Sequence, residues 1–156
     1  MKRYFIILAA VLMYSAVCAW AESNTPVIAV IPFEAAGVSQ NDADAFTARF
    51  TEILAANETV SVVESRAVNT LLARQEIAIS DLIDEKRAVA FATEANADFL
   101  IIGNLFALGN MAGVFITLIG VNPITVSVAM RQEESMDALM ATVPGMCKEL
   151  LENVEK

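Results

Sequence analysis

Carboxylates are the reactive groups this chain holds in quantity: 19 Asp and Glu stand beside 10 Lys and Arg, no histidine and two cysteines. Without imidazole, the commonest general base and the commonest zinc or copper ligand are both missing, and Ser-His-Asp or Cys-His triads are excluded. Two cysteines cannot furnish the thiolate and imidazole ligands of a structural zinc site. The acids close enough in sequence to act together are Asp42 with Asp44, and Asp81 with Asp84 and Glu85. These stand at or near expected helix starts, where the helix dipole favours negative charge, so capping and solvation account for them. No calcium loop with alternating acids around a central glycine occurs. The glycines Gly37, Gly103, Gly109, Gly113, Gly120 and Gly145 form neither a dinucleotide fingerprint nor a phosphate loop. The expectation is no catalytic residue, no cofactor and no metal.

The elements that would position any site follow an α/β order. Val27 to Phe33 (VIAVIPF) is an apolar, β-branched run with Pro32 near its end, as in a strand buried on both faces. Glu34 to Val38 reads as a turn through Gly37. Ser39 followed by Asp42 resembles a capping box, and Ala43, Phe46, Phe50, Ile53 and Leu54 recur at helical spacing to about Ala56. Val60 to Glu64 reads as a second strand, with Ser65 capping a helix that carries Val68, Leu71 and Leu72. Ile77 to Ile83 is an irregular apolar link, after which Ser80 or Asp84 starts a helix closed by Asn96.

Asp98 to Leu108 is the next strand, with Gly103 marking a bulge or a close approach. Gly109 to Gly113 reads as a hairpin loop, Val114 to Val121 as the returning strand, and Thr125 to Arg131 as one more after the Asn122-Pro123 turn. Ser135 caps a last helix whose stripe runs from Met136 through Leu139, Val143, Cys147 and Leu150 to Leu151, with a kink or break expected before Pro144. The fold expected is therefore a single α/β domain: a mixed sheet of about five strands, helices packed on it and a C-terminal helix.

The feature that asks for a functional explanation is the apolar hairpin Phe99 to Val121. Helices covering both of its faces would make it core; an uncovered face or edge would meet a partner, and Phe106, Val114, Phe115 and Ile116 are the candidates for that surface. Two other readings stay open. One is a small-ligand pocket at the strand ends near Phe33, Glu34 and Gly103; the other is a hydrolase working with carboxylates alone.

The N-terminus carries Lys2 and Arg3, then the apolar run Tyr4 to Val17, then Ala19-Trp20-Ala21. That order is a cleavable export signal cut between Ala21 and Glu22. The alternatives are a membrane-spanning anchor, or acylation at Cys18, although Val17 occupies the place where a lipobox normally has a small residue. Removing Lys2 and Arg3 with the signal leaves 8 basic and 19 acidic residues, a net charge of −11. Such a chain repels phosphate backbones and anionic lipid, so nucleic acid is excluded as a partner, and membrane association requires a lipid tether. Cleavage also discards Cys18, leaving Cys147 with no intramolecular disulfide partner.

In order, the blocks IAVIPF (Ile28 to Phe33), VSVVESR (Val60 to Arg66), LLARQ (Leu71 to Gln75) and ANADFLIIGNL (Ala95 to Leu105) resemble the CsgG-like and penicillin-binding-protein-activator (LpoB-like) superfamily of bacterial envelope proteins. The resemblance covers about Val27 to Arg131. It implies a mixed α/β domain in the periplasm or at the outer membrane, commonly lipid-anchored, that works by binding proteins and carries no catalytic residues. This chain departs from the pattern at Gly120-Val121-Asn122-Pro123-Ile124, where the family has an aspartate-containing stretch, and it lacks the long insertions that build a secretion pore. The reading is a signal peptide over 1–21, a leader over 22–26 and one domain over 27–156. The protein so described is a periplasmic accessory protein that binds another envelope protein through its sheet edge or apolar hairpin, as a monomer or a homo-oligomer. Mass spectrometry of the exported protein should find Glu22 as its first residue; an acylated Cys18 would instead mean membrane anchoring.

Overall fold

A computed structural model describes residues 25–154. The signal, its cleavage point Ala21-Glu22 and Cys18 lie outside the described residues. Six strands form one mixed sheet in the order β3-β1-β4-β5-β6, with β2 also paired to β4. The first strand, β1 (Val27–Val30), lies between two parallel neighbours, β3 (Ser61–Val62) and β4 (Phe99–Leu108). β5 (Met111–Val121) then runs antiparallel to both of its neighbours, β4 and β6 (Ile124–Glu133). Parallel pairs require crossovers, which the helices supply. α1 (Gln40–Ala55) connects β2 to β3, while α2 (Ser65–Gln75), a 3-10 turn (Ile79–Ile83) and α3 (Glu85–Glu94) connect β3 to β4. α4 (Met136–Val154) closes the chain.

The two faces of the sheet have separate cores. On one face, α1 and α4 bury Phe46, Phe50, Leu54, Leu139, Val143 and Leu150 against Ile28, Ile101, Leu105, Val114 and Ile116. On the other, α2, the 3-10 turn and α3 bury Val68, Leu82, Ala88 and Phe91 against Ala29, Ile31, Leu100 and Ile119. Helix ends are fixed where the sequence marks them. The Ser39 hydroxyl oxygen accepts from the Asp42 amide at 3.1 Å, and Asp84 accepts from the Arg87 amide at 3.1 Å. Asn96 takes a left-handed φ of 52° just past the end of α3.

Several expectations give way to tertiary structure. Glu34 to Ala36 is not part of a turn but strand β2, continuing the line of β1 along β4. Between the pairs Val30–Ile101 and Glu34–Asn104, Ile31, Pro32 and Phe33 oppose only Ile102 and Gly103. The extra residue is a bulge on the first strand, where Pro32 has no N–H to lose and the Phe33 amide donates to Thr47 Oγ1 at 2.9 Å instead. The bulge turns the Phe33 ring onto Gly103, and edge-on against Phe46 and Phe50 at 5.2 and 5.4 Å between centroids. Gly103 is thus the point of close approach: a Cβ there would stand 1.8 Å from the Phe33 ring.

The hairpin loop is Gly109-Asn110 alone, because Leu108 and Met111 already pair. Gly109 at φ 64° and a following residue at negative φ suit a two-residue turn that matches strand twist. Gly113 belongs to β5, where the cross-strand Phe106 ring fills the space its missing side chain leaves. β3 is two residues long rather than five, and Ser65 is the first residue of α2, with Glu64 at the cap position. α4 continues through Pro144 without the break expected before it. Buried residues on both sides of the proline, Leu139 and Val143 before and Cys147 and Leu150 after, hold it helical against the sheet and α1.

Gly103→Ala should cost at least ~2 kcal/mol of stability through overpacking. A fall in the urea midpoint measures the loss, and Phe33→Leu in the same chain should recover part of it; an unchanged midpoint would refute the contact.

Candidate functional site: an uncovered apolar sheet face

Successive residues of a strand point to opposite faces. In β5, Ala112, Val114, Ile116 and Leu118 face α1 and α4 and are buried. Gly113, Phe115, Thr117 and Ile119 face the other way. Residues directly opposite in a ladder share a face, so Phe115 stands beside Asn104 and Met130, and Thr117 beside Ile102 and Val128. The same register places Leu108, Met111, Val126 and Ile124 on this second face.

α2, the 3-10 turn and α3 cover that face only near β1 and the adjoining ends of β4 and β5, where Ile119 is buried. Over the rest of β4, β5 and β6 no described element lies on it. Ile124, Val126, Val128 and Met130 are each more than half exposed, Leu108 is 70% exposed, and Met111 and Phe115 are 42% exposed. Ile83, at 79%, extends the patch from the 3-10 turn. Between that turn and the sheet lies a groove of about 330 Å³, lined by Ile79, Leu82, Ile83, Ile102, Phe115 and Ile119, with Glu34, Asn104 and Thr117 as its polar groups. The groove includes Glu34 and Gly103, two of the three residues around which sequence places a small-ligand pocket; Phe33 itself is buried in the opposite core.

β4, β5 and β6 carry no charge on this surface, and Glu34 of β2 stands at its margin, in the groove. Phe99 to Met130 contains no Asp, Glu, Lys or Arg. Arg131 and Glu133 point to the opposite face, where Arg131 pairs with Glu149 of α4. β6 is also an open edge: its ten residues pair with β5 alone, and Ile124 to Met130 carry no charge, proline or bulge to deter another strand. The opposite edge, β3, is two residues long.

The residues expected to form a partner surface divide between the faces. Phe106 and Phe115 lie on the uncovered face. Val114 and Ile116 are fully buried under α1 and α4, so they are core and not surface. The exposed residues of β6, with Leu108, Met111 and Ile83, complete the patch; their period-two alternation, Ile124-Val126-Val128-Met130, is the sequence signal that could have found them.

Several of the acids make structural contacts. Asp42, in the first turn of α1, accepts from the hydroxyl of the cap residue Ser39 at 2.7 Å, and Asp44 accepts from the Gln40 side chain at 2.9 Å. Asp81 pairs with Arg87 at 3.3 Å, and Asp84 caps α3. Asp98 fastens β1 to β4, accepting from the Val27 amide at 2.8 Å. Among the described residues no three His, Cys, Asp or Glu stand together as a metal site. Burial pushes the Cys147 thiol up to about 12, which keeps it protonated and unreactive at neutral pH. No described helix is long and apolar enough to cross a membrane.

Phe115 and Ile116 are adjacent, yet their substitution should differ sharply. Phe115→Asp should leave stability within about 1 kcal/mol, whereas Ile116→Asp buries an unpaired charge and should unfold the domain. Denaturant titration of both variants checks this, and equal losses would mean that the second face is covered.

No family model and no curated protein matches the chain. Among solved structures, the lipoprotein GNA1162 from Neisseria meningitidis is similar at 12% identity and a TM-score of 0.56, over 81% of this chain and 96% of that one. The LpoB C-terminal domain from Salmonella enterica is similar at 14% identity and a TM-score of 0.54, over 77% of this chain and 90% of that one. Escherichia coli LpoB is similar at 16% identity and a TM-score of 0.52, over 69% of this chain and 57% of that one. The CsgG half of the resemblance gains no support from these structures. At such identities the likeness is one of fold, and the fold is LpoB-like.

Proposed function

We propose that this chain is an exported accessory protein of the bacterial envelope that acts by binding protein through the uncovered face of β4, β5 and β6. The observation that carries the reading is the apolar face of β4, β5 and β6, to which these strands bring no charge and over most of which no described element lies. Contiguous apolar surface of this extent marks an interface. The groove beside Phe115 suits a partner's apolar side chain, of the kind that anchors binding energy in a desolvated pocket. Binding of this sort needs no reactive group, which agrees with acids committed to caps and ion pairs and a thiol held protonated.

Export rests on the order of residues 1–21: basic start, apolar run, then Ala19-Trp20-Ala21. A periplasmic location follows, with outer-membrane attachment only through acylation of Cys18. The relatives in fold fit such a setting: GNA1162 is a lipoprotein, and the LpoB-like resemblance of the sequence blocks implies an envelope protein that binds other proteins.

A photo-crosslinking amino acid at position 115 tests the reading in cells that export the protein. Protein adducts should form from that position and not from position 58, an exposed site in the turn after α1. Absence of adducts from position 115, or equal adducts from both, would overturn it.

A further inference from the structure

We infer that a second copy of this chain closes the uncovered face, the two sheets packing face to face about a two-fold axis near Phe115 and Val128. The inference rests on the reading of this face as a protein-binding surface and names its occupant.

Area is the first argument. Ile83, Leu108, Met111, Phe115, Ile124, Val126, Val128 and Met130 are 42% to 79% exposed. Together they present on the order of 900 Å² of accessible surface, above the ~300–600 Å² of an ordinary monomer's largest apolar patch and close to the ~800 Å² each partner gives a standard interface.

Composition is the second. Faces that meet a foreign protein use charge for specificity and approach, and their apolar fraction is that of ordinary surface; interfaces between identical copies are more apolar. On this face β4, β5 and β6 contribute Ile102, Asn104, Leu108, Phe115, Val128 and Met130 among other uncharged residues. In a two-fold contact every residue meets the same surface, so a single charge near the axis would meet its own likeness. A protein of net charge −11 after cleavage repels its copies across most of its surface. Phe99 to Met130 is the stretch where two copies can touch without that repulsion; Glu34, two strands from Phe115 in the same row, lies at its margin.

Geometry is the third. Three antiparallel strands, with apolar side chains projecting from each, form the kind of face that packs on another sheet ~10 Å away at about −30°. The β5–β6 ladder is unbroken from Ala112–Glu133 to Val121–Ile124, so this face has no bulge to interrupt such packing.

Sedimentation of the exported chain beginning at Glu22, across micromolar concentrations, tests the inference. A dimer is expected, and it should tighten as salt rises, because salt screens the repulsion between acidic copies. Phe115→Asp should leave only monomer, and Val128→Thr, which preserves strand propensity, should weaken the dimer about tenfold. Should Phe115→Asp unfold, Val128→Thr alone decides. Wild-type monomer at every concentration, a dimer that both variants retain, or a dimer that loosens with salt would each overturn the inference. Monomer together with position-115 adducts to a different protein would overturn only the second copy and leave the binding surface standing; monomer with no adducts would remove both.

Discussion

Strand geometry delivers every second side chain to each face of a sheet, and a face that receives apolar side chains must be covered or must find cover. In this protein the covering helices are unevenly spread. α1 and α4 span one face, whereas α2, the 3-10 turn and α3 reach only β1 and the adjoining ends of β4 and β5 on the other. The fold is therefore three layers thick around β1 and the adjoining ends of β4 and β5, and two layers thick over β6 and the turn end of the β4–β5 hairpin. The bulge at Ile31 to Phe33 belongs to the same arrangement. It rolls the Phe33 ring onto Gly103 and into the Phe46–Phe50 pair, so the covered face has an aromatic centre directly behind the uncovered one.

That rigid backing is what lets the outer face act as a surface. Leu105, Val114 and Ile116 are fully buried on the covered side of β4 and β5, and their packing fixes the backbone that displays Phe115 and Met130 on the other. A binding surface borne on paired strands loses little freedom when it is occupied, which favours affinity.

Much of the architecture was legible in the residues. Ser39, Asp84 and Ser135 mark helix starts, and Asn96 marks an end, because short polar side chains satisfy exposed backbone groups there. Gly103 signals crowding, and β1 is the interior parallel strand that VIAVIPF suggests. What could not be read was coverage. A continuous apolar run such as Phe99 to Ile102 looks the same whether its far face meets helices or solvent, so Val114 and Ile116 were indistinguishable from Phe115 as surface candidates. Strand β2 was hidden as well, because Glu34-Ala35-Ala36 has weak strand preference and pairs only where the bulge brings it alongside β4. Pro144 misleads for a related reason: local preference argues for a break, and burial of the flanking stripe prevails.

The charge-free stretch from Phe99 to Met130 matters before the protein has folded at all. It becomes β4, β5 and most of β6, and in an extended chain it combines high β-propensity with nothing to repel a neighbouring copy. The acidic helix α4 follows it, whereas α3 before it balances Glu85 and Glu94 with Lys86 and Arg87, so solubility of the unfolded chain depends on sequence outside the segment most inclined to aggregate. Closure of the tight turn at Gly109-Asn110 ties β4 to β5 within one molecule, and the speed of that local pairing limits how long the segment stays open to another copy.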